Sequence, residues 1–129
     1  MACVFCEIIA RELPGYIITE DRNFMVWLSL ENHPLIVPKR HVPDIFGLPD
    51  DLASSIMRLT KKVAMATKSA LEAEGIYITQ ANGTSAGQSV FHYHMHVYPR
   101  WSDGRLLDTD DLSKTRTMEK IHECFSRCV

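Results

Sequence analysis

One short run of sequence constrains the fold most, because polar and apolar side chains alternate in it with a period of two. Residues 90–98 carry histidines at positions 92, 94 and 96, with apolar or aromatic residues between them. Successive side chains of a β-strand point to opposite faces, so the run predicts a strand with a histidine face and a core face. Neighbouring histidines on that face would lie roughly 6.5–7 Å apart, which suits a phosphate-sized site.

The remaining patterns predict an α+β domain with a mainly antiparallel sheet. Apolar residues recur at intervals of four and three through residues 51–74, which predicts a long helix opened by Asp50-Asp51 and ended by Gly75. Weaker helices are predicted over 4–11 and about 109–127. The other predicted strands are 16–19, 24–30, 35–37 and 76–80.

Length and composition limit the classes of function. A chain of 129 residues fits a single domain, 1–129, and 46% hydrophobic content is enough for one core. The net charge of −2 and the lack of a Lys/Arg-rich run argue against binding to long nucleic acid. No apolar run is long enough to span a membrane and the first residues do not resemble a signal peptide, so we expect a cytoplasmic location.

The three histidines allow three interpretations: a structural role, a metal site, or phosphate chemistry. Residues 83–89, Gly-Thr-Ser-Ala-Gly-Gln-Ser, come directly before them. Such a segment is either a simple turn between strands or a loop whose N–H groups surround an anion. Its position next to the histidines favours phosphate chemistry.

Several motifs together resemble the histidine-triad (HIT) nucleotide-binding family. They are Asn82, Gly87-Gln88-Ser89-Val90, His92-x-His94-x-His96-Val97-x-Pro99-Arg100, Cys3-x-x-Cys6-Glu7-Ile8-Ile9 and Leu35-Ile36-Val37-Pro38-Lys39-Arg40-His41-Val42. The resemblance covers about residues 3–100, leaves 101–129 as a C-terminal extension, and is nearest to the bacterial HIT-like branch with a Pro-Arg ending. It implies a five-stranded antiparallel sheet with one long and one or two shorter helices. It also implies a homodimer formed through the long helix and a strand edge.

The resemblance also implies roles for individual residues. His94 would attack the α-phosphorus of a nucleotide and form a nucleotidyl-imidazole that water then cleaves. His96 would contact the phosphate or the leaving group, while Gln88 and Ser89 stabilise negative charge. His33 matches a further histidine of the family's catalytic pocket. The nucleotide-binding set is Asn82, Gly87, Gln88, Ser89, His96 and Ser29.

One departure from the family concerns the ribose. Ser29 stands near the position where the family typically carries an Asp that holds the ribose hydroxyls. The connection from there to His33 is also several residues shorter. A serine cannot clamp a diol as a carboxylate does, so this departure argues against firm ribose binding.

A second site is predicted for a metal. Cys3-x-x-Cys6 has the spacing at which two thiolates meet one zinc ion. The resemblance implies that His41 and His92 complete a structural zinc site. A redox pair and two inert cysteines are the alternatives. Cys124 and Cys128 are four residues apart, and we predict no function for them.

Three functions therefore compete. The first is an enzyme acting at the α-phosphorus of a phosphoramidate or a dinucleoside polyphosphate, for which a nucleotide hydrolase is favoured over a transferase. The second is a non-catalytic or weakly catalytic HIT module that binds nucleotides or a partner. The third is a metal-binding structural protein. The histidines with their Gly-Gln-Ser loop favour the first, and Ser29 in place of a carboxylate favours the second.

Overall fold

The chain folds into a sheet of five strands with three helices, described over residues 3–127 by a computed structural model. In chain order the elements are α1 (Val4–Ile9), β1 (Ile17–Glu20), β2 (Phe24–Leu28), β3 (Pro34–Pro38), α2 (Asp50–Leu71), β4 (Gly75–Thr79), β5 (Met95–Arg100) and α3 (Asp111–Arg127). Short 3₁₀ turns occupy Ile45–Gly47 and Thr84–Ala86. Of the C-terminal cysteine pair, Cys128 lies outside the described residues.

The sheet has the strand order β1-β2-β3-β5-β4, and every neighbouring pair is antiparallel. This confirms the predicted fold class and the number of strands. All residues of β2 and β3 are buried, because these central strands are covered on both faces. Helices α2 and α3, which also pack on each other, cover one of those faces.

Helix α2 provides the main core layer. Its buried stripe includes Ile56, Val63 and Ala66, which pack in one cluster with side chains of the sheet. The helix ends at Leu71 rather than at Gly75, so the predicted terminator was wrong by several residues. Glu72 adopts a left-handed conformation with φ of 52°, and its N–H donates to the Lys68 carbonyl. This cap closes the last turn before the chain enters β4.

The other face of the sheet carries a smaller apolar layer. Phe5 of α1 packs there with Met25, Trp27, Leu35 and Val37. The rings of Phe5 and Trp27 meet edge to face with centroids 5.2 Å apart. This layer forms the apolar wall of the site described below.

The predicted strand at 90–98 was wrong in its first half, because β5 begins only at Met95. Residues 90–94 leave the sheet and run along the segment that follows β3, where the Tyr93 N–H donates to the Val42 carbonyl at 2.7 Å. His92 and His94 therefore do not lie on a strand with His96. Because of this break before Met95, His92 points away from His94 and His96.

Among the described residues, no helix is both long enough and apolar enough to cross a membrane.

Candidate active site and metal centre

His94 lines a cavity of about 510 Å³, together with His33 and His96. The Nδ1 atom of His94 lies 2.7 Å from the carbonyl oxygen of His92. A carbonyl can only accept a hydrogen bond, so Nδ1 must carry the ring proton. The Nε2 atom of His94 is then left with its lone pair. A histidine nucleophile needs a fixed acceptor of this kind, and this carbonyl could not be identified from the sequence.

Burial keeps the site histidines uncharged. It lowers the pKa of His94, although the hydrogen bond to the His92 carbonyl opposes the shift. Burial, reinforced by repulsion from the protonated form of His94, lowers the pKa of His96 to about 4. Burial, followed by repulsion from the protonated form of His96 and from Arg100, lowers the pKa of His33 to about 3. All three imidazoles are therefore neutral at neutral pH, as a nucleophile or a neutral donor requires.

A chain of hydrogen bonds runs from Ser29 through His33 to His96. The Ser29 Oγ atom accepts from the backbone N–H groups of Glu31 and His33, both at 3.2 Å. Both lone pairs of Oγ are then used, so the hydroxyl donates to His33 Nδ1 at 2.8 Å. His33 Nε2 in turn donates to His96 Nδ1 at 2.9 Å. His96 is thereby left with an N–H at Nε2, a donor that suits a phosphate oxygen.

The loop before the histidines is held by its own side chains. Gly83 and Gly87 flank its 3₁₀ turn with φ of 93° and 96°, which favours glycine at both positions. Buried Gln88 donates to the Pro43 carbonyl at 2.6 Å and accepts from the Gly83 N–H at 2.7 Å. Asn82 accepts from the Ile45 N–H at 2.7 Å. The Gln88 and Asn82 side chains thus shape the loop, while Ser89 lines the cavity. Their roles toward a nucleotide stay predictions, as does that of Gly87.

The cavity wall combines an apolar side with a polar rim. Phe5, Ile8, Trp27, Leu35 and Val90 supply the apolar side, which fits the flat face of a base. Asp111 and Lys114, from the start of α3, line the rim.

The rim residues were missed by the sequence analysis, which treated residues 101–129 as an extension. Lys114 is buried although it is charged, and its Nζ donates to the carbonyls of Ser29 at 2.8 Å and Leu30 at 3.0 Å. These bonds fix the shortened turn after β2. No local pattern marks Lys114, because its partners lie 84 and 85 residues away in the chain.

The second group brings together all four predicted metal ligands. One ligand atom each from Cys3, Cys6, His41 and His92 lies within 4.8 Å of the others. The His92 Nδ1 atom is 3.5 Å from both sulfurs and 3.2 Å from His41 Nδ1, and Cys6 Sγ is 3.3 Å from His41 Nδ1. In tetrahedral zinc coordination, bond lengths of about 2.0 and 2.3 Å put ligand atoms roughly 3.3–3.8 Å apart. The four distances given, from 3.2 to 3.5 Å, lie close to that range.

A hydrogen bond outside the group fixes the orientation of His92. Its Nε2–H donates to the Pro38 carbonyl at 2.7 Å, so the Nδ1 lone pair faces the cysteines. The Cys6 N–H also donates to Cys3 Sγ at 3.4 Å, which stabilises a thiolate. These residues can hold a metal ion, and the two thiolates with two imidazoles are consistent with zinc.

Comparison with known proteins identifies the class to which this fold and site belong. The HIT domain model matches residues 11–103. The chain is 37% identical over 106 residues to the Bacillus subtilis protein called Protein hit, covering 79% of this chain and 73% of that protein. It is 32% identical over 126 residues to a HIT-like protein of Methanocaldococcus jannaschii, covering 94% and 97%. The chain therefore belongs to the HIT family.

Solved structures agree with this assignment. A zinc-bound histidine-triad protein from Mycobacterium smegmatis superposes with a TM-score of 0.89 at 29% identity, covering 99% of this chain and 96% of that one. A protein from Sulfolobus tokodaii described as a hypothetical histidine-triad nucleotide-binding protein gives a TM-score of 0.90 at 28% identity, covering 97% of this chain and 93% of that one. A HIT family hydrolase from Legionella pneumophila gives 0.67 at 30% identity, covering 83% and 96%.

Proposed function

We propose that the protein hydrolyses nucleotide conjugates at the α-phosphorus, with His94 as the nucleophile. The observation that carries this proposal is the hydrogen bond from His94 Nδ1 to the His92 carbonyl, which leaves Nε2 unprotonated at a cavity wall. Membership of the HIT family supports it, as does the likeness to proteins described as nucleotide-binding and as a hydrolase.

The chemistry follows from the residues around the cavity. The Nε2 lone pair of His94 forms a bond to the α-phosphorus while the bond from phosphorus to the leaving group breaks. The leaving group takes that electron pair and, when it is an amine, also takes a proton from water. The Nε2–H of His96 donates to a phosphate oxygen and stabilises its added negative charge. A water molecule then displaces the imidazole and gives up a proton to solvent, which releases a nucleoside monophosphate and returns His94 to its starting form.

We also propose that the metal centre holds a structural zinc ion. The Mycobacterium smegmatis relative, which is described as zinc-bound, supports the choice of metal. The zinc ligands would be Cys3, Cys6, His41 and His92. When bound, zinc would link α1 to residue 92 and would take no part in the reaction. We further propose a homodimer and a cytoplasmic location, both as inferred from the sequence.

A second function is favoured by one observation. The Ser29 hydroxyl is committed to His33, so it is not free to hold a ribose hydroxyl. This favours a module that binds nucleotides and hydrolyses them only weakly. The two functions differ in turnover and not in binding.

The test compares the wild type with His94→Ala, using an adenosine phosphoramidate and a diadenosine polyphosphate and following release of adenosine monophosphate. We expect kcat to fall by roughly 10³-fold or more, because the covalent step is lost. Rapid quenching with labelled substrate should trap labelled protein only when His94 is present. His122→Ala changes a histidine of α3 that lies outside the cavity and donates through Nδ1 to the Ile18 carbonyl, and this control should keep wild-type activity.

Two outcomes would reject the assignment. Nucleotide binding by the wild type without turnover would support the binding module instead. Turnover that survives His94→Ala would exclude His94 as the nucleophile.

A further inference from the structure

Phe5 lies between the metal centre and the proposed nucleophile. It is a buried residue of α1, and its neighbours on either side in the sequence include the metal-centre cysteines Cys3 and Cys6. The rings of Phe5 and His94 meet edge to face, with centroids 5.0 Å apart and an angle of 80° between their planes. One side chain of α1 therefore contacts the nucleophile from within the segment that supplies two metal ligands.

The ring of His94 is held by contacts on more than one side. The hydrogen bond from Nδ1 to the His92 carbonyl holds one edge of the ring, but a single hydrogen bond still lets the ring tilt. The rings of Phe5 and His96, with centroids 5.0 and 4.9 Å from that of His94, restrict this tilt. Because the Nε2 lone pair lies in the ring plane, these contacts set the direction in which it points.

Phe5 is itself supported from two directions. Its ring packs edge to face on Trp27 of central strand β2, with centroids 5.2 Å apart. In the chain, Cys3 caps the start of α1 and its sulfur accepts from the Cys6 N–H at 3.4 Å. A helix of six residues is not stable by itself. The two cysteines, when they hold a metal, would therefore fix the position of the Phe5 ring against His94.

Two routes connect the metal centre to His94. The first passes through His92, whose Nδ1 faces the cysteines and whose carbonyl accepts from His94. His92 is held without a metal as well, because its Nε2–H donates to the Pro38 carbonyl at 2.7 Å. The second route passes through Phe5 on the short helix α1. We expect this second route to respond more strongly to a metal, because α1 depends more on its attachments.

We propose that Phe5 is a positioning residue for His94, and that a metal ion bound by Cys3 and Cys6 acts on the nucleophile through Phe5. Its effect on rate rests on the proposed hydrolase function. A chain without its metal would keep the cavity and its three histidines but would hold the His94 ring less firmly. The supply of metal would thereby control the rate of the covalent step.

The experiment measures the rate of the covalent step by rapid quenching, in zinc-loaded and in chelator-treated protein. Zinc removal should slow this step in the wild type by about 10-fold, because the nucleophile loses its alignment with phosphorus. Zinc-loaded Phe5→Leu keeps an apolar side chain and all four ligands, and it should be slower by a similar factor. Zinc removal from Phe5→Leu should add less than about a twofold effect, because both changes break the same connection.

Ile9→Val is the matched control. It shortens an apolar side chain of the same helix, which packs in the same layer and lies outside the cavity lining. This variant should keep both the wild-type rate and the 10-fold response to zinc removal. A full response to zinc removal in Phe5→Leu would show that the connection runs through His92 instead. That result, or a wild-type rate in zinc-loaded Phe5→Leu, would overturn the inference.

Nuclear magnetic resonance separates this inference from the proposed function, because it needs no substrate. The ring signals of His94 should shift on zinc removal from the wild type and should shift in the same direction in zinc-loaded Phe5→Leu. Both changes take an aromatic ring away from His94. The signals of His33, which stacks on Tyr98, should stay in place.

The outcomes are distinct. If the wild type hydrolyses no nucleotide conjugate but the His94 signals respond in this way, the hydrolase proposal fails and positioning by Phe5 stands. If the His94 signals of the wild type do not respond to zinc removal, the inference is rejected, even where Phe5→Leu does not fold.

Discussion

His92 and His94 are two residues apart, yet the ring nitrogen that carries no proton is a different one in each. His92 donates Nε2–H to the Pro38 carbonyl at 2.7 Å, and His94 donates Nδ1–H to the His92 carbonyl at 2.7 Å. The first leaves the Nδ1 lone pair toward the cysteines, and the second leaves Nε2 with its lone pair. Two backbone acceptors therefore leave a different ring nitrogen unprotonated in two identical side chains.

His33 gives a prediction for the pH dependence of stability. Its pKa is lowered from 6.5 to about 3 in the folded protein. Below pH 6.5 the unfolded chain binds a proton that the folded protein excludes, so stability is complete above pH 6.5 and is lost as the pH falls toward 3. At pH 5, this residue alone should have lowered the free energy of unfolding by about 2 kcal/mol.

Urea unfolding at pH 7.5 and pH 5.0 measures this loss. It should be done on Cys3→Ser, so that proton-driven metal release makes no contribution. His33→Gln in the same background should show a pH effect smaller by about 2 kcal/mol. An unchanged pH effect would show that His33 is not its source.

Two elements at the ends of the chain complete the site. Helix α1 contributes Phe5 and Ile8 to the cavity wall and two cysteines to the metal centre. Helix α3 contributes Lys114, whose bonds to the carbonyls of Ser29 and Leu30 fix the turn after β2. With six residues, α1 is too short to be stable by itself and depends on these attachments.

Removal of one metal ligand tests the attachment of α1. Cys3→Ser should abolish stoichiometric zinc binding and lower the melting temperature, whereas a chelator should lower only that of the wild type. At a free zinc concentration about a hundred times Kd, the lost stabilisation is about 2.7 kcal/mol. Cys124→Ser, at a half-buried cysteine of α3, is the matched control and should keep its zinc. Equal zinc content in wild type and Cys3→Ser would reject the ligand set.

At the scale of the whole molecule, β4 is an edge strand of the sheet. Strand β4 exposes Tyr77 and Ile78, and helix α2, which contacts β4, exposes Met57 and Met65. An open edge beside apolar surface favours pairing with a second copy of the chain. This agrees with the homodimer that the family resemblance implies.

Light scattering after gel filtration tests the dimer. The wild type should have twice the mass of one chain, and Ile78→Lys should be a monomer because it places a charge on the paired surface. Phe46→Ser removes another exposed apolar side chain, on the 3₁₀ turn after β3, and should stay a dimer. A monomeric wild type at micromolar concentration would contradict the prediction.

The sequence predicted the elements whose patterns are local. The stripe of α2, the strands around it and the Cys3-x-x-Cys6 spacing can all be recognised within one segment of the chain. The break before Met95 could not be predicted, because the contacts of His92 and Tyr93 with Pro38 and Val42 cross more than fifty residues. The roles of Lys114 and Ser29 depend in the same way on contacts between distant segments.

The metal centre also bears on how fast the protein folds. Cys3 and His92 are 89 positions apart, so a shared ion closes a loop that contains most of the chain. Such a contact is costly to form before the strands between have paired, and it should be absent from the transition state. In that case Cys3→Ser should refold at the same rate as the wild type and should unfold faster than the wild type. A bound ion would then slow unfolding and leave the folding rate unchanged.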